Sequence, residues 1–177
     1  MAGNMLYIPY SILLVVGVIV FAVVIQLKKG KRHTRYFLMV SLPVLVIFLF
    51  YFWNSTFNNY VKSYLFPSRA FECEYIEELK NLALPLPERM VFKGKEDACS
   101  PFYLAYVSAD DFKAFYQEQL SRMERQGEIK NFAYVEREDQ YGAEHNGYIA
   151  ELPTGSKIEI FMRSENNLGI MSIDYER

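Results

Sequence analysis

The side chains best suited to chemistry in this chain are concentrated in one short polar segment, residues 138–146. It contains Asp139, Tyr141, Glu144 and His145, which are residue types that hold metals or contact partners. A zinc site needs three or four ligands at defined spacing, and the segment has no second histidine or cysteine. Polar loops between strands often carry binding residues. We therefore expect a hairpin loop that can contact a partner, and no metal or other cofactor.

The serines show no pattern of nucleophilic catalysis. Ser100, Ser108 and Ser156 lie in no recognisable strand-turn-helix elbow. His145 is the only histidine after residue 33, and nothing in its spacing makes it their base. The glycines of this region occur singly, so there is no phosphate-binding loop. The sequence therefore predicts a protein that is not an enzyme. The alternative is a membrane-tethered hydrolase or metal-dependent enzyme that uses the 138–146 loop.

Two long apolar runs, residues 5–27 and 36–53, precede these elements and contain no charged side chain. As helices they would span about 34 and 27 Å, enough to cross a hydrocarbon core of about 30 Å. Residues 28–35 between them carry five basic side chains and no acid. Basic residues in a short loop stay on the cytoplasmic side, so both chain ends are expected to be extracytoplasmic. The first run has no basic n-region or small-residue cleavage site, which favours a retained anchor over a signal peptide.

The acidic residues and both cysteines follow this predicted transmembrane hairpin. All 21 acids lie at or after Glu72, and from residue 54 onward they outnumber 14 basic residues, giving a formal net charge of −7. Nucleic-acid binding needs a clustered basic face, so no nucleic-acid partner is expected. Cys73 and Cys99 can pair in an oxidising compartment, which would stabilise the fold by about 3.5 kcal/mol in the chain-entropy model. Two free buried thiols are the alternative.

The segment from residue 54 to residue 87 is predicted to link the hairpin to a folded domain. Aromatic and aliphatic residues at helical spacing continue the second span as a juxtamembrane helix. A short acidic helix is predicted over 70–83, and the prolines of 84–87 favour an extended linker. The domain boundaries predicted from sequence are therefore 1–53, 54–87 and 88–177.

Residues 88–177 are predicted to form a small extracytoplasmic α+β domain. Ser108 can cap a helix that ends at Gly127. We expect an antiparallel sheet with this main helix packed across one face, in the order β-β-α-β-β-β. Strand patterns occur at 90–93, 102–107, 132–137, 147–152, 157–163 and 168–175.

Aromatic residues are abundant, with fourteen tyrosines and fourteen phenylalanines. Tyrosine is favoured at recognition surfaces because it buries a large area at little cost in rotamer entropy, although many tyrosines fill cores instead. We predict that one exposed, tyrosine-bearing sheet face contacts a partner. The candidate partner-binding residues are Tyr103, Tyr134, Tyr141, Glu144, His145 and Tyr148.

The combined pattern is typical of a non-enzymatic, membrane-anchored, extracytoplasmic protein-binding module. Such a module would be an accessory subunit, a regulator or an immunity-type protein, with the lipid bilayer and a protein, including another membrane protein, as partners. A further hypothesis is a ligand-binding sensor that acts through a partner membrane protein. The helix-then-strands arrangement is shared by many small secreted bacterial domains, which favours a bacterial source and assigns no role to any residue.

Overall fold

A computed structural model describes residues 7–80, 82–138, 144–165 and 168–176. The chain divides into two compact units, Met1–Val61 and Lys62–Arg177. Over the described residues it is an α+β protein with four α-helices and seven strands; the three-part domain division stays a prediction. The elements in chain order are α1 (Tyr7–Lys29), α2 (Lys31–Trp53), α3 (Ser55–Leu65), β1 (Ser68–Phe71), a 3₁₀ turn (Glu77–Leu79), β2 (Leu84–Lys95), β3 (Pro101–Ala105), α4 (Ala109–Gln126), β4 (Asn131–Glu138), β5 (Glu144–Glu151), β6 (Lys157–Glu165) and β7 (Leu168–Glu176).

Helices α1 and α2 form a packed hairpin, and each is 23 residues long. At 1.5 Å per residue each measures about 35 Å. Both are long and apolar enough to cross a membrane. The basic segment 28–35 was expected to be a loop, but only Gly30 lies outside the helices. Gly30 has φ +82°, a conformation that glycine adopts without steric cost, so one residue suffices for the bend.

Polar and aromatic contacts join α1 to α2 and to the first turns of α3 at the end of the hairpin remote from Gly30. The Trp53 indole N–H donates to Ser11 Oγ at 3.2 Å. The Tyr7 ring stacks on Phe52 with centroids 5.0 Å apart, and Asn58 Nδ2 donates to the Tyr7 hydroxyl at 3.3 Å. Ser11 and Asn58 are buried. These contacts fix the pairing of the helices because each buried polar group gains a partner.

The second apolar helix does not continue into the juxtamembrane helix as the sequence suggested. Asn54 is extended, with φ −98° and ψ 104°. Its side-chain oxygen accepts a hydrogen bond from the backbone N–H of Phe57 at 2.8 Å. Asparagine is a strong helix N-cap because this bond satisfies one of the free N–H groups of the first turn. The residue that ends α2 therefore also begins α3.

The second unit is a seven-stranded antiparallel sheet in the order β1-β2-β3-β7-β6-β5-β4. The predicted order β-β-α-β-β-β is wrong at two points: four strands follow α4, and β1 precedes β2. All four strand patterns named after the helix are strands. Helix α4 begins after Ser108, whose Oγ accepts from the Asp111 N–H at 3.1 Å, and ends at Gly127 in the left-handed conformation. Both predicted caps are confirmed.

The described residues of this segment, 70–80 and 82–83, do not form the predicted acidic helix. They contain the end of β1, which pairs with β2, and the 3₁₀ turn. A helix here would place Glu74 and Glu78 four residues apart, where like charges repel. The sheet pairing instead buries Phe71 opposite Leu84. The predicted linker 84–87 is correspondingly the first part of β2.

The predicted disulfide is present. Cys73 and Cys99 are bonded, with their Cα atoms 5.6 Å apart. Both are buried in the core of the second unit. The bond fastens the segment after β1 to the β2–β3 connection, which gives a covalent restraint to the side of the sheet on which α4 packs.

Candidate functional site

Three of the predicted partner-binding tyrosines lie on the sheet face that α4 covers. Tyr103 is 5% exposed and Tyr148 is completely buried. The Tyr148 hydroxyl donates to the Lys113 carbonyl oxygen at 2.9 Å. Tyr134 is half-buried, with the Lys113 ammonium 3.9 Å from its ring centroid. Tyr103 and Tyr148 therefore present no side-chain surface to a partner in this conformation.

Burial also determines the acid–base chemistry of these tyrosines. It raises the pKa of Tyr103 to about 12. Burial, with a smaller contribution from the neighbouring Tyr134, raises the pKa of Tyr148. Burial raises the pKa of Tyr116 on α4 well above the ordinary value. A phenolate is poorly solvated in this environment, so these hydroxyls stay protonated and act as core hydrogen-bonding groups.

The other predicted residues lie elsewhere. His145 is half-buried on the opposite face of the sheet, paired in register with Arg137 and Arg163. The backbone of Glu144 begins β5, while Tyr141 lies outside the described residues. The structure thus brings Tyr103, Tyr134 and Tyr148 together on one face and separates them from His145. The partner roles of the six residues stay predictions.

The face of the sheet opposite α4 carries a second set of apolar residues. We call it the open face. Along each strand its residues alternate with those that face α4, so these side chains point away from α4. The open-face residues are Val91, Phe102, Leu104, Val135, Arg137, His145, Ile149, Glu159, Phe161, Arg163, Leu168, Ile170, Ser172 and Asp174.

A row across five strands sets the shape of the open face: Gly94, Phe102, Ser172, Phe161 and Gly147 are successive register partners. A Cβ atom added at Gly94 would lie 2.7 Å from the Phe102 ring. One added at Gly147 would lie 2.6 Å from the Phe161 ring. Each phenylalanine ring therefore lies against the bare backbone of a glycine on the next strand. The result is a row of two phenylalanine rings without projecting side chains beside them, which sequence reasoning missed.

The open face is exposed at one residue of this row and at a neighbour beside it. Ile170 is 55% exposed and Phe102 is 37% exposed. Leu104 and Arg163 are the register partners of Ile170 on its two sides. Leu168 on the same strand is also at the surface. Exposed apolar side chains that adjoin one another on a folded surface mark interaction sites more often than isolated ones do.

A charged pair borders the apolar part of the open face. The Arg137 guanidinium donates two hydrogen bonds to the Glu159 carboxylate, at 3.2 and 3.3 Å. The same guanidinium lies over the Phe161 ring, 4.6 Å from its centroid. Phe161 is buried as a result. Two-point carboxylate binding orients the arginine, so this border is more rigid than an ordinary surface charge.

A cluster of hydroxyl groups around Glu78 has the residue types of a catalytic site. The Glu78 Oε2 atom accepts hydrogen bonds from the hydroxyls of Tyr175 at 2.7 Å, Ser156 at 2.8 Å and Thr154 at 3.1 Å. A serine next to a carboxylate can be an activated nucleophile. Ser156 is buried, however, and its Oγ also lies 3.1 Å from the Tyr175 hydroxyl. We interpret the cluster as a tether that joins the 3₁₀ turn to the β5–β6 turn and β7.

Arg89 is the only non-glycine residue with positive φ in the described part of the chain, at +62°. Such a conformation costs free energy and persists where its surroundings impose it. The Arg89 guanidinium lies 4.1 Å from the Tyr64 ring centroid and 5.3 Å from that of Tyr106. Nη2 lies 3.5 Å from Ser63 Oγ. The contacts tie the end of α3 to the sheet.

The comparisons with known proteins contribute no assignment. No family model matches the chain, and neither a curated protein nor a solved structure matches it. Over the described residues, no group of three or more histidine, cysteine or acidic side chains is placed to hold a metal ion. The open face is the surface whose geometry best fits a binding role.

Proposed function

We propose that this protein is a non-enzymatic, membrane-anchored, extracytoplasmic protein-binding module. The α1–α2 hairpin is the anchor, and the open face of the sheet contacts a protein partner. The observation that carries the proposal is the exposed apolar surface of Phe102, which lies against Gly94, with Ile170 on the neighbouring strand. Burying such a surface against a partner removes apolar area from water, which drives association.

The anchor is supported by the distribution of apolar residues around α1 and α2. The most apolar window of each helix has none of its residues buried within the protein. A helix that is hydrophobic on all sides is stable in a lipid environment or inside a large core. The basic bend at 28–35 favours a cytoplasmic position for that end of the hairpin. The disulfide fits an oxidising compartment for the second unit, and together these features support extracytoplasmic termini.

The hydrolase alternative was predicted for the 138–146 loop, and residues 139–143 of that loop lie outside the described residues. Elsewhere, the state of the reactive groups favours binding over catalysis. Ser156 is buried and its hydroxyl is committed to Glu78. The buried hydroxyls of Tyr116 and Tyr148 have raised pKa values. Such groups are poor nucleophiles and poor bases near neutral pH. The open face needs no reactive group to act, because shape and apolar area provide recognition.

A recovery experiment with matched variants tests the partner surface. The full chain, an Ile170→Asp variant and a Tyr75→Asp control are each used to capture partners from detergent-solubilised membranes. Tyr75 is 77% exposed and is not part of the open face. We expect the same specific protein with the wild type and the control, and about 30-fold less with Ile170→Asp, the loss typical of a central interface residue. Failure to recover a specific partner, or full recovery with Ile170→Asp, would contradict the proposal.

The orientation has its own test. Protease added to intact cells is expected to remove the second unit, because the proposal places it outside the cytoplasm. Inverted vesicles are expected to protect it. The reverse result would contradict the extracytoplasmic assignment, whatever the partner experiment shows.

A further inference from the structure

The hairpin carries a groove near its basic bend that the anchor role alone does not explain. It has a volume of about 590 Å³ and runs along α2 beside the last turn of α1. Its lining changes character along its length. Gln26, Lys31, Thr34 and Arg35 line the end near the bend, and Leu38, Met39, Leu42 and Pro43 line the remainder.

The polar end of the groove is cationic. Lys31 and Arg35 both line it, and the sequence contains no acidic residue before Glu72. Both residues lie in the first two turns of α2. Thr34 between them is buried, and its hydroxyl donates to the Gly30 carbonyl oxygen at 3.3 Å. The occupant that complements this end has an anionic, oxygen-rich group.

The apolar end of the groove matches a hydrocarbon chain in length and position. From Lys31 to Pro43 the helix rises about 18 Å, close to the thickness of about 15 Å of one leaflet of the hydrocarbon core. Met39 is 65% exposed, so the groove opens sideways and not into a closed cavity. A chain in this groove would remain continuous with the surrounding lipid.

We infer that the groove binds an anionic glycerophospholipid, with its phosphate between Lys31 and Arg35 and one acyl chain along Leu38 and Leu42. Basic recesses beside transmembrane helices on the cytoplasmic side recognise such headgroups. The inference rests on the proposed membrane anchor and deepens it by naming a lipid that the hairpin selects. A bound anionic lipid would also hold the bend at the cytoplasmic surface.

Native mass spectrometry of the full chain in detergent tests the site. The protein is offered equimolar phosphatidylglycerol and phosphatidylcholine with identical acyl chains. Lys31→Gln/Arg35→Gln is compared with the control Lys28→Gln/Lys29→Gln, which removes the same charge outside the groove lining. We expect the wild type to retain phosphatidylglycerol selectively. Lys31→Gln/Arg35→Gln should lower that selectivity about 30-fold, because each cation contributes about fivefold. The control should lower it less than about threefold.

A third variant probes the apolar end. Leu42→Trp fills the groove and is expected to reduce retention of both lipids. Equal losses in the two charge variants, no selectivity in the wild type, or unchanged retention with Leu42→Trp would each overturn the inference. Carbonate extraction of membranes separates the two proposals: a protein that is released has no anchor, so both fail. A protein that resists extraction but shows no lipid selectivity contradicts only the groove.

Discussion

The two faces of the seven-stranded sheet use aromatic residues in opposite ways. On the covered face, Tyr148 packs against Tyr116 of α4; both are completely buried, and their rings are tilted by 45° with centroids 6.3 Å apart. On the open face, the rings of Phe102 and Phe161 lie against glycines of the next strand. The covered face is therefore a packed interior, and the open face is a shallow surface. A count of aromatic residues measures both together and does not separate recognition from packing.

The largest expected effect is on the free energy of unfolding when one phenylalanine on either side of the sheet is replaced by alanine. Phe112→Ala on the covered side removes a completely buried ring whose centroid lies 4.9 Å from that of Tyr116. We expect a loss of about 3–5 kcal/mol in the free energy of unfolding. Phe102→Ala should cost about 1 kcal/mol, because its ring is already partly exposed. Urea unfolding of the full chain in detergent, followed by circular dichroism, measures both; equal losses would contradict the assignment of faces.

The disulfide on the covered side is expected to contribute nearly as much to the free energy of unfolding as the Phe112 ring. A Cys73→Ser/Cys99→Ser variant opens a loop with a sequence separation of 26. The chain-entropy model gives a loss of about 3.5 kcal/mol. Differential scanning calorimetry of the variant and of the oxidised wild type measures the loss, and the reduced wild type is the control. A variant as stable as the oxidised wild type would show that the covered face needs no covalent restraint.

Alkaline pH should weaken the covered face specifically. Burial raises the pKa of Tyr103 from its ordinary value of 10.0, which applies to the unfolded chain, to about 12 in the folded protein. A raised folded pKa stabilises the protein fully below pH 10, and this contribution is lost as the pH rises towards 12. A difference of two units between the folded and the unfolded pKa corresponds to about 2–3 kcal/mol in the free energy of unfolding. Tyr103→Phe cannot ionise there, so it should unfold at a higher pH than the wild type in a titration at fixed urea. Identical alkaline midpoints would contradict this.

The smallest effect is expected at the border of the open face. Arg137→Gln removes the two bonds to Glu159 and the contact with Phe161. Exposed pairs contribute about 0.2–1 kcal/mol, so a loss below about 1 kcal/mol is expected. Arg122→Gln is the matched control, because its contact with Glu118 on α4 is exposed and 3.8 Å long. Chemical denaturation of both variants measures the difference. If the control lost as much as Arg137→Gln, the border would be no more ordered than ordinary surface charge.

Features with a local cause were predictable from the sequence. The Ser108 cap and the Gly127 terminus define α4 by local effects. Ser108 accepts a hydrogen bond from an N–H of the first turn, and Gly127 adopts the left-handed conformation that ends the helix. Strand β6 was identified from strict alternation at Ile158, Ile160 and Met162, all of which are buried. The apolar runs of α1 and α2 were identified from length and composition. In each case the signal spans fewer than about two dozen residues, the range over which periodicity operates.

Features that depend on contacts between distant parts of the chain were not predictable from the sequence. The segment 70–83 has helical spacing of apolar residues, yet pairing with β2 and the bond to Cys99 override that preference. The bonds from Ser156 and Tyr175 to Glu78 join residues 78 and 97 positions apart. No local pattern encodes such contacts. Helix propensity is weak enough, at tenths of a kcal/mol per residue, for tertiary pairing to decide the outcome.

The amino-acid sequence by itself determined which segments are apolar helices, where the main helix starts and stops, and which cysteines are available to pair. Those properties follow from side-chain chemistry and from spacing along the chain. The tertiary structure alone decided that β3 lies beside β7 and that α4 docks on the face that carries Tyr103, which leaves Ile170 exposed on the other face. Strand alternation sorts side chains into two sets, but the helix that docks on the sheet determines which set becomes the interior.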